Sequence, residues 1–87
     1  YSDVGFWILH RLAEHMLNQP MEDFLDQNLY EPLGASTTGY LPLKRFDPSQ
    51  IAPTEIDTTF RKSLLVGTVH DERAAMLGGV AGHAGLF

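Results

Sequence analysis

Four histidines and eleven carboxylates in 87 residues raise metal chemistry first. His10 and Glu14 lie four residues apart in a helical stretch, so one helix face carries both. A zincin-type site needs two histidines at that spacing with a glutamate between them as base. Here the second position is Glu14 and no third ligand is evident, so an exposed polar helix face is expected. His70-Asp71-Glu72 is a denser cluster, which Glu55 and Asp57 could approach. Adjacent residues of one short segment rarely all point at one ion, so a structural hydrogen-bond hub is expected there.

The run Gly78-Gly79-Val80-Ala81-Gly82-His83-Ala84-Gly85 holds four glycines in eight residues and predicts a tight loop allowing close backbone approach. It lacks the G-x-G-x-x-G spacing and a following Lys-Ser/Thr, so phosphate binding is not expected. The serines are Ser2, Ser36, Ser49 and Ser63. None sits in G-x-S-x-G or has a lysine three residues later, so the chain carries no recognisable nucleophile.

Composition narrows the field further. Six basic against eleven acidic residues leave a net charge of −5, which repels polyanions and argues against a nucleic-acid partner. The absence of cysteine removes disulfides, thiolate nucleophiles and Cys-based zinc sites. No stretch approaches the roughly 18–20 apolar residues of a membrane span. A chain of this size buries only about 60–65% of its unfolded surface, so any core is marginal. It begins at Tyr1 without a starting methionine and stops in apolar Ala84-Gly85-Leu86-Phe87, and so reads as an excerpt of a longer protein.

The elements that must position these groups are short. Val4, Ile8, Leu12 and Leu17 recur at helical spacing and predict a helix over 4–17, capped by Ser2 or Asp3. Asn18-Gln19 ends it, and Pro20 suits the first position of a second helix. Glu22 and Asp23 then favour the N-terminal dipole end, Met21, Phe24, Leu25 and Leu29 form an apolar stripe, and Glu31-Pro32 stops the helix. Residues 1–33 thus predict a helical hairpin. Residues 34–69, punctuated by Pro42, Pro48 and Pro53, predict an extended, loop-rich segment. Within it, Phe60 to Val69 fits either a short strand or one helical turn. Residues 70–87 predict a short helix capped by Asp71 and then the glycine loop. The fold class expected is mostly α with irregular segments, in a single partial domain.

Several of these pieces carry a resemblance. Tyr1-Ser2-Asp3 before an apolar helix resembles the Tyr-x-Asn motif of the penicillin-recognising serine hydrolases, which include class C β-lactamases, D-alanyl-D-alanine carboxypeptidases and related esterases. Pro20-Met21-Glu22-Asp23-Phe24-Leu25 resembles that family's Pro-Leu-x-x-Phe-Leu helix, and Glu31-Pro32-Leu33-Gly34 the turn that closes it. Ile51-Ala52-Pro53-Thr54-Glu55, Gly67-Thr68-Val69-His70-Asp71-Glu72 and Gly78 through Phe87 are similar to segments of a carboxypeptidase-like branch. These matches occur in the expected order and span nearly the whole chain.

The resemblance implies a helical-subdomain fragment of an α+β serine hydrolase, an α/β/α sandwich with a helical subdomain. Such enzymes form an acyl-enzyme on the serine of a Ser-x-x-Lys motif. Tyr1 would be general base or proton shuttle to that serine, aided by lysine charge, since a free phenol has a pKa near ~10. Asp3 would bind the substrate amide or orient the lysine. Asp in place of the usual Asn is a departure that adds negative charge. Neither Ser-x-x-Lys nor the later Lys-Thr-Gly or His-Thr-Gly strand occurs here. His83-Ala84-Gly85 looks like the latter, but it lies in a glycine loop rather than on an edge strand, and the match is rejected. The chain alone is therefore expected to be inactive.

The parent is expected to act on peptidoglycan or small esters, outside the cytoplasm, without metal or organic cofactor. Its partners would be the acyl substrate and the rest of the hydrolase domain, and the isolated chain would be prone to self-association. The alternatives are a non-catalytic helical interaction module and a degenerate homologue that keeps the fold without the chemistry.

Overall fold

A computed structural model describes residues 1–87. The first helix, α1, spans Asp3–Leu17, with Ser2 in extended conformation accepting the Val4 N–H through its hydroxyl. That bond satisfies one of the orphan donors of the first turn. Asn18 ends α1 in the left-handed region at φ 54°, a conformation asparagine tolerates better than most residues. The second helix, α2 (Met21–Leu25), widens into a π-type turn over Asp26–Tyr30. Pro20 stands just before α2 rather than inside its first turn.

The apolar stripe of α1 is left open by the rest of the chain. Val4 (49% exposed), Ile8 (63%) and Leu12 (49%) face outward, and the one buried residue of α1 is His10 at 9%. The cause lies in what meets the inner face of α1. A Cβ on Gly82 would collide with the Phe6 carbonyl and lie 3.3 Å from the His10 Cβ. Loop backbone therefore packs against α1 at this point, and only glycine fits at the crossing.

Between the helices and the C-terminal segment run two single 3-10 turns, Pro42–Lys44 and Pro48–Gln50, and a hairpin. Strands β1 (Pro53–Asp57) and β2 (Ser63–Val66) pair antiparallel, with Glu55 opposite Leu65 and Asp57 opposite Ser63, and an irregularity between Pro53 and Glu55. The open choice over Phe60–Val69 thus resolves to a strand at 63–66. A helix-rich chain with one two-stranded sheet is compatible with the expected class.

The short helix α3 (Glu72–Met76) is capped by Asp71, whose carboxylate accepts the Ala74 N–H at 2.8 Å. It closes with a Schellman-type pair: Gly79 N–H bonds the Ala74 carbonyl and Gly78 N–H that of Ala75, with Gly78 at φ 93°. Val69, Ala74 and Ala81 form the small core, flanked by Ala75 and Ala84. Gly39 and Phe87 exchange both backbone hydrogen bonds, tying the end of the chain to its middle. No large side chain is fully buried, so apolar packing within these residues is thin. No helix is long and apolar enough to cross a membrane.

Candidate functional site

At the start of α1, two segments far apart in sequence converge. His83, on the glycine loop, is 6% exposed at its side chain and presents Nε2 3.2 Å from Asp71 Oδ1 and 3.9 Å from Asp3 Oδ2. Its other ring nitrogen, Nδ1, accepts the indole N–H of Trp7 at 3.1 Å, with the two rings edge to face at 5.9 Å. Each element has a local reason to be there. Trp7 sits one turn beyond Asp3 on the same face of α1. Asp71 is held as the cap of α3, and His83 is carried in by the Gly82 crossing.

Tyr1 is 98% exposed, with its ring 5.6 Å from that of Phe6. The nearby Asp3 carboxylate is the main influence on its phenol and raises its pKa above the ordinary tyrosine value, and Asp71 adds to the effect. At neutral pH the Tyr1 phenol is thus protonated, and no residue here draws it toward the phenolate. Asp71 itself titrates lower than usual, chiefly because it accepts the Ala74 N–H and secondarily because it faces His83. Tyr1, Asp3, Asp71 and His83 therefore form one polar cluster.

Donor atoms of Asp3, Asp71 and His83 all lie within 4.8 Å of one another, close enough to suggest a cation. The ring chemistry argues against one. A metal-bound imidazole normally donates its other N–H to an acceptor. Here Nδ1 faces indole N–H, a group that only donates. The neutral ring must carry its proton on Nε2, the atom a metal would need bare.

The other candidates separate. His10 Nε2 lies 3.1 Å from Glu14 Oε2, but neither forms the exposed polar face expected: His10 is buried, and Glu14 accepts the Met21 N–H at 2.8 Å. Glu14 therefore stands in for the cap that Pro20 cannot supply to α2. That backbone bond is the main reason its pKa is lowered, with His10 a lesser one.

The hub expected at residues 70–72 divides in two. Asp57 Oδ1 accepts the N–H groups of Thr59 and Phe60, and Oδ2 those of Arg61, backbone and side chain. These bonds, led by the Arg61 and Phe60 N–H groups, hold the Asp57 carboxyl far below the usual carboxylate range. Arg61 then donates to the carbonyls of Val69 and His70 at 2.7 and 2.8 Å. His70 enters through its backbone alone, its side chain exposed; Glu55 and Glu72 are exposed as well. Asp71 belongs to the other cluster, with His83, which spacing did not single out. The one signal for His83 in the sequence is a bulky polar residue inside a glycine run.

Over its full length the chain is 41% identical to a protein named "Putative D-alanyl-D-alanine carboxypeptidase" from Escherichia coli strain K12. It is 39% identical to the protein of the same name from Escherichia coli O157:H7 and 40% to that from Salmonella schwarzengrund strain CVM19633. Each similarity covers 100% of this chain and 23% of the relative, so the chain spans about a quarter of the length of the curated relatives it matches. No family model matches it, and no solved structure does.

Proposed function

We propose that this chain is part of a longer serine hydrolase with a carboxypeptidase- or esterase-like acyl-enzyme mechanism. The observation that carries the reading is similarity along the entire chain, Tyr1-Ser2-Asp3 and the glycine loop included, to proteins named as D-alanyl-D-alanine carboxypeptidases. In this reading the nucleophilic serine and its lysine come from residues outside the 87. Tyr1 and Asp3 face the cleft, Asp3 orienting the substrate amide or the lysine. The lysine must also offset the Asp3 charge that now holds the phenol protonated, before Tyr1 can accept a proton from the serine.

The substrate class is a peptidoglycan-type peptide or a small ester, and a peptidoglycan substrate would be met outside the cytoplasm. The outward stripe Val4, Ile8 and Leu12 fits the same reading as surface for the rest of the hydrolase domain. A non-catalytic interaction module would use that stripe for a separate partner, but it would give the Tyr1–Asp3–His83 cluster nothing to do.

The test is D-alanine release from a peptide ending in D-alanyl-D-alanine, and hydrolysis of a p-nitrophenyl ester, by the full-length protein. Turnover of either substrate that Tyr1→Phe lowers about 100-fold or more supports the reading. A folded full-length protein that turns over neither overturns it.

A further inference from the structure

We propose that Trp7 and His83 are positioning residues that fix Asp3 beside Tyr1, through a single imidazole tautomer. This rests on the reading that Tyr1 and Asp3 face the cleft. Trp7 N–H can only donate, so His83 Nδ1 keeps its lone pair and the ring proton lies on Nε2. Nε2, on a side chain 6% exposed, then lies 3.2 Å from Asp71 Oδ1 and 3.9 Å from Asp3 Oδ2, buried and without a hydrogen-bond partner of good geometry. Two carboxylates this close repel each other, and one buried donor between them offsets that repulsion.

The cluster is anchored at two ends. Asp71 cannot swing away without releasing the Ala74 N–H that starts α3, and His83 cannot turn without releasing Trp7. Asp3 is the one of the three without such an anchor, and it is also the carboxylate that most affects the Tyr1 phenol. Holding His83 keeps its Nε2 3.9 Å from the Asp3 carboxylate, and Asp3 sets the charge that Tyr1 meets. His83 touches no reacting atom in this scheme. It acts through Asp3.

Nitrogen-15 ring shifts of the histidines in the full-length protein test the tautomer directly. The expected pattern is a His83 ring protonated at Nε2, with a cross-peak linking Nδ1 to the Trp7 indole proton. A ring protonated at Nδ1, or zinc bound through His83, overturns the proposal. The second arm compares His83→Gln, whose amide N–H takes the place of Nε2–H, with His83→Leu, which has no donor. With folding followed by melting, His83→Leu is expected to lower kcat/KM about 10- to 100-fold and shift its pH profile, as misplacement of a reacting group does. His83→Gln should keep the profile and most of the rate. Equal losses in both variants mean that His83 only packs, and the proposal fails. If the wild-type protein turns over no substrate, the hydrolase reading fails instead and the ring shifts still decide the tautomer.

Discussion

The indole N–H of Trp7 lies 3.1 Å from His83 Nδ1, across 76 residues of chain. This one bond joins the first helix to the glycine loop and decides which nitrogen of His83 faces Asp3 and Asp71. Trp7→Phe keeps the apolar ring but removes the donor. The full-length protein should lose about 1 kcal/mol in urea melts, the usual worth of a part-buried hydrogen bond. An unchanged melt would mean that indole N–H and imidazole do not pair.

Gly82 is where the loop backbone meets α1. An added Cβ would collide with the Phe6 carbonyl, and backbone there cannot yield cheaply. Gly82→Ala should cost about 1–3 kcal/mol by overpacking and, by displacing the loop, should also weaken the His83 contacts. Chemical denaturation reads the first effect and the His83 ring shifts the second.

Much of the local structure was legible in the sequence. Ser2, Asn18, Pro20 and Asp71 mark helix ends through the chemistry of their own side chains, and each stands at or beside a helix end in the fold. The direction of α1 was not legible. Its apolar stripe at Val4, Ile8 and Leu12 faces outward, and the inner face is the one bearing His10, because a glycine loop contributed by residue 82 lies against it. Periodicity reports which face is apolar, not which partner covers it. The site divided in the same way. Asp3 and Asp71 were marked by motif and by position, whereas His83 joins them through a long-range approach that no spacing encodes. Asp57 was expected to be able to approach His70-Asp71-Glu72, but its carboxylate is consumed by its own turn.

Four carboxylates, Asp57, Asp71, Glu14 and Asp47, are held below their ordinary pKa, each chiefly by a backbone N–H. A depressed carboxylate pKa in the fold means that stability is fully present above the unfolded value, about pH 4, and is lost as pH falls toward the folded one. The part of the melting temperature that these carboxylates supply should therefore be lost below about pH 4. Asp57→Asn should lower stability at pH 7 and flatten that acid slope. An acid slope of undiminished steepness in Asp57→Asn would show that the charge of Asp57 does not hold the 58–62 turn.

Glu14→Ala removes the acceptor that α2 uses in place of a cap. Loss of a helix cap costs about 1 kcal/mol, and Glu14→Gln, which retains an acceptor oxygen, should recover most of it. Equal losses in the two variants would assign the effect to the Glu14 charge beside His10 and not to the Met21 bond.

The outward stripe on α1 predicts opposite behaviour in two settings. Ile8→Glu in the isolated 87-residue chain should reduce self-association, read as a melting transition that no longer depends on concentration. In the full-length protein the same substitution should destabilise by about 2 kcal/mol or more, because it would place a charge at a covered apolar surface. Neutrality in the full-length protein would mean that this face stays open to solvent there.

The most direct test of the hydrolase account is covalent. The full-length protein should be treated with a serine-reactive fluorophosphonate and with a fluorescent penicillin, and the labelled peptide mapped. The account predicts a label on the serine of a Ser-x-x-Lys sequence outside these 87 residues, formed more slowly in Tyr1→Phe. No label from either probe on a well-folded protein, or a label unaffected by loss of the Tyr1 hydroxyl, would contradict it.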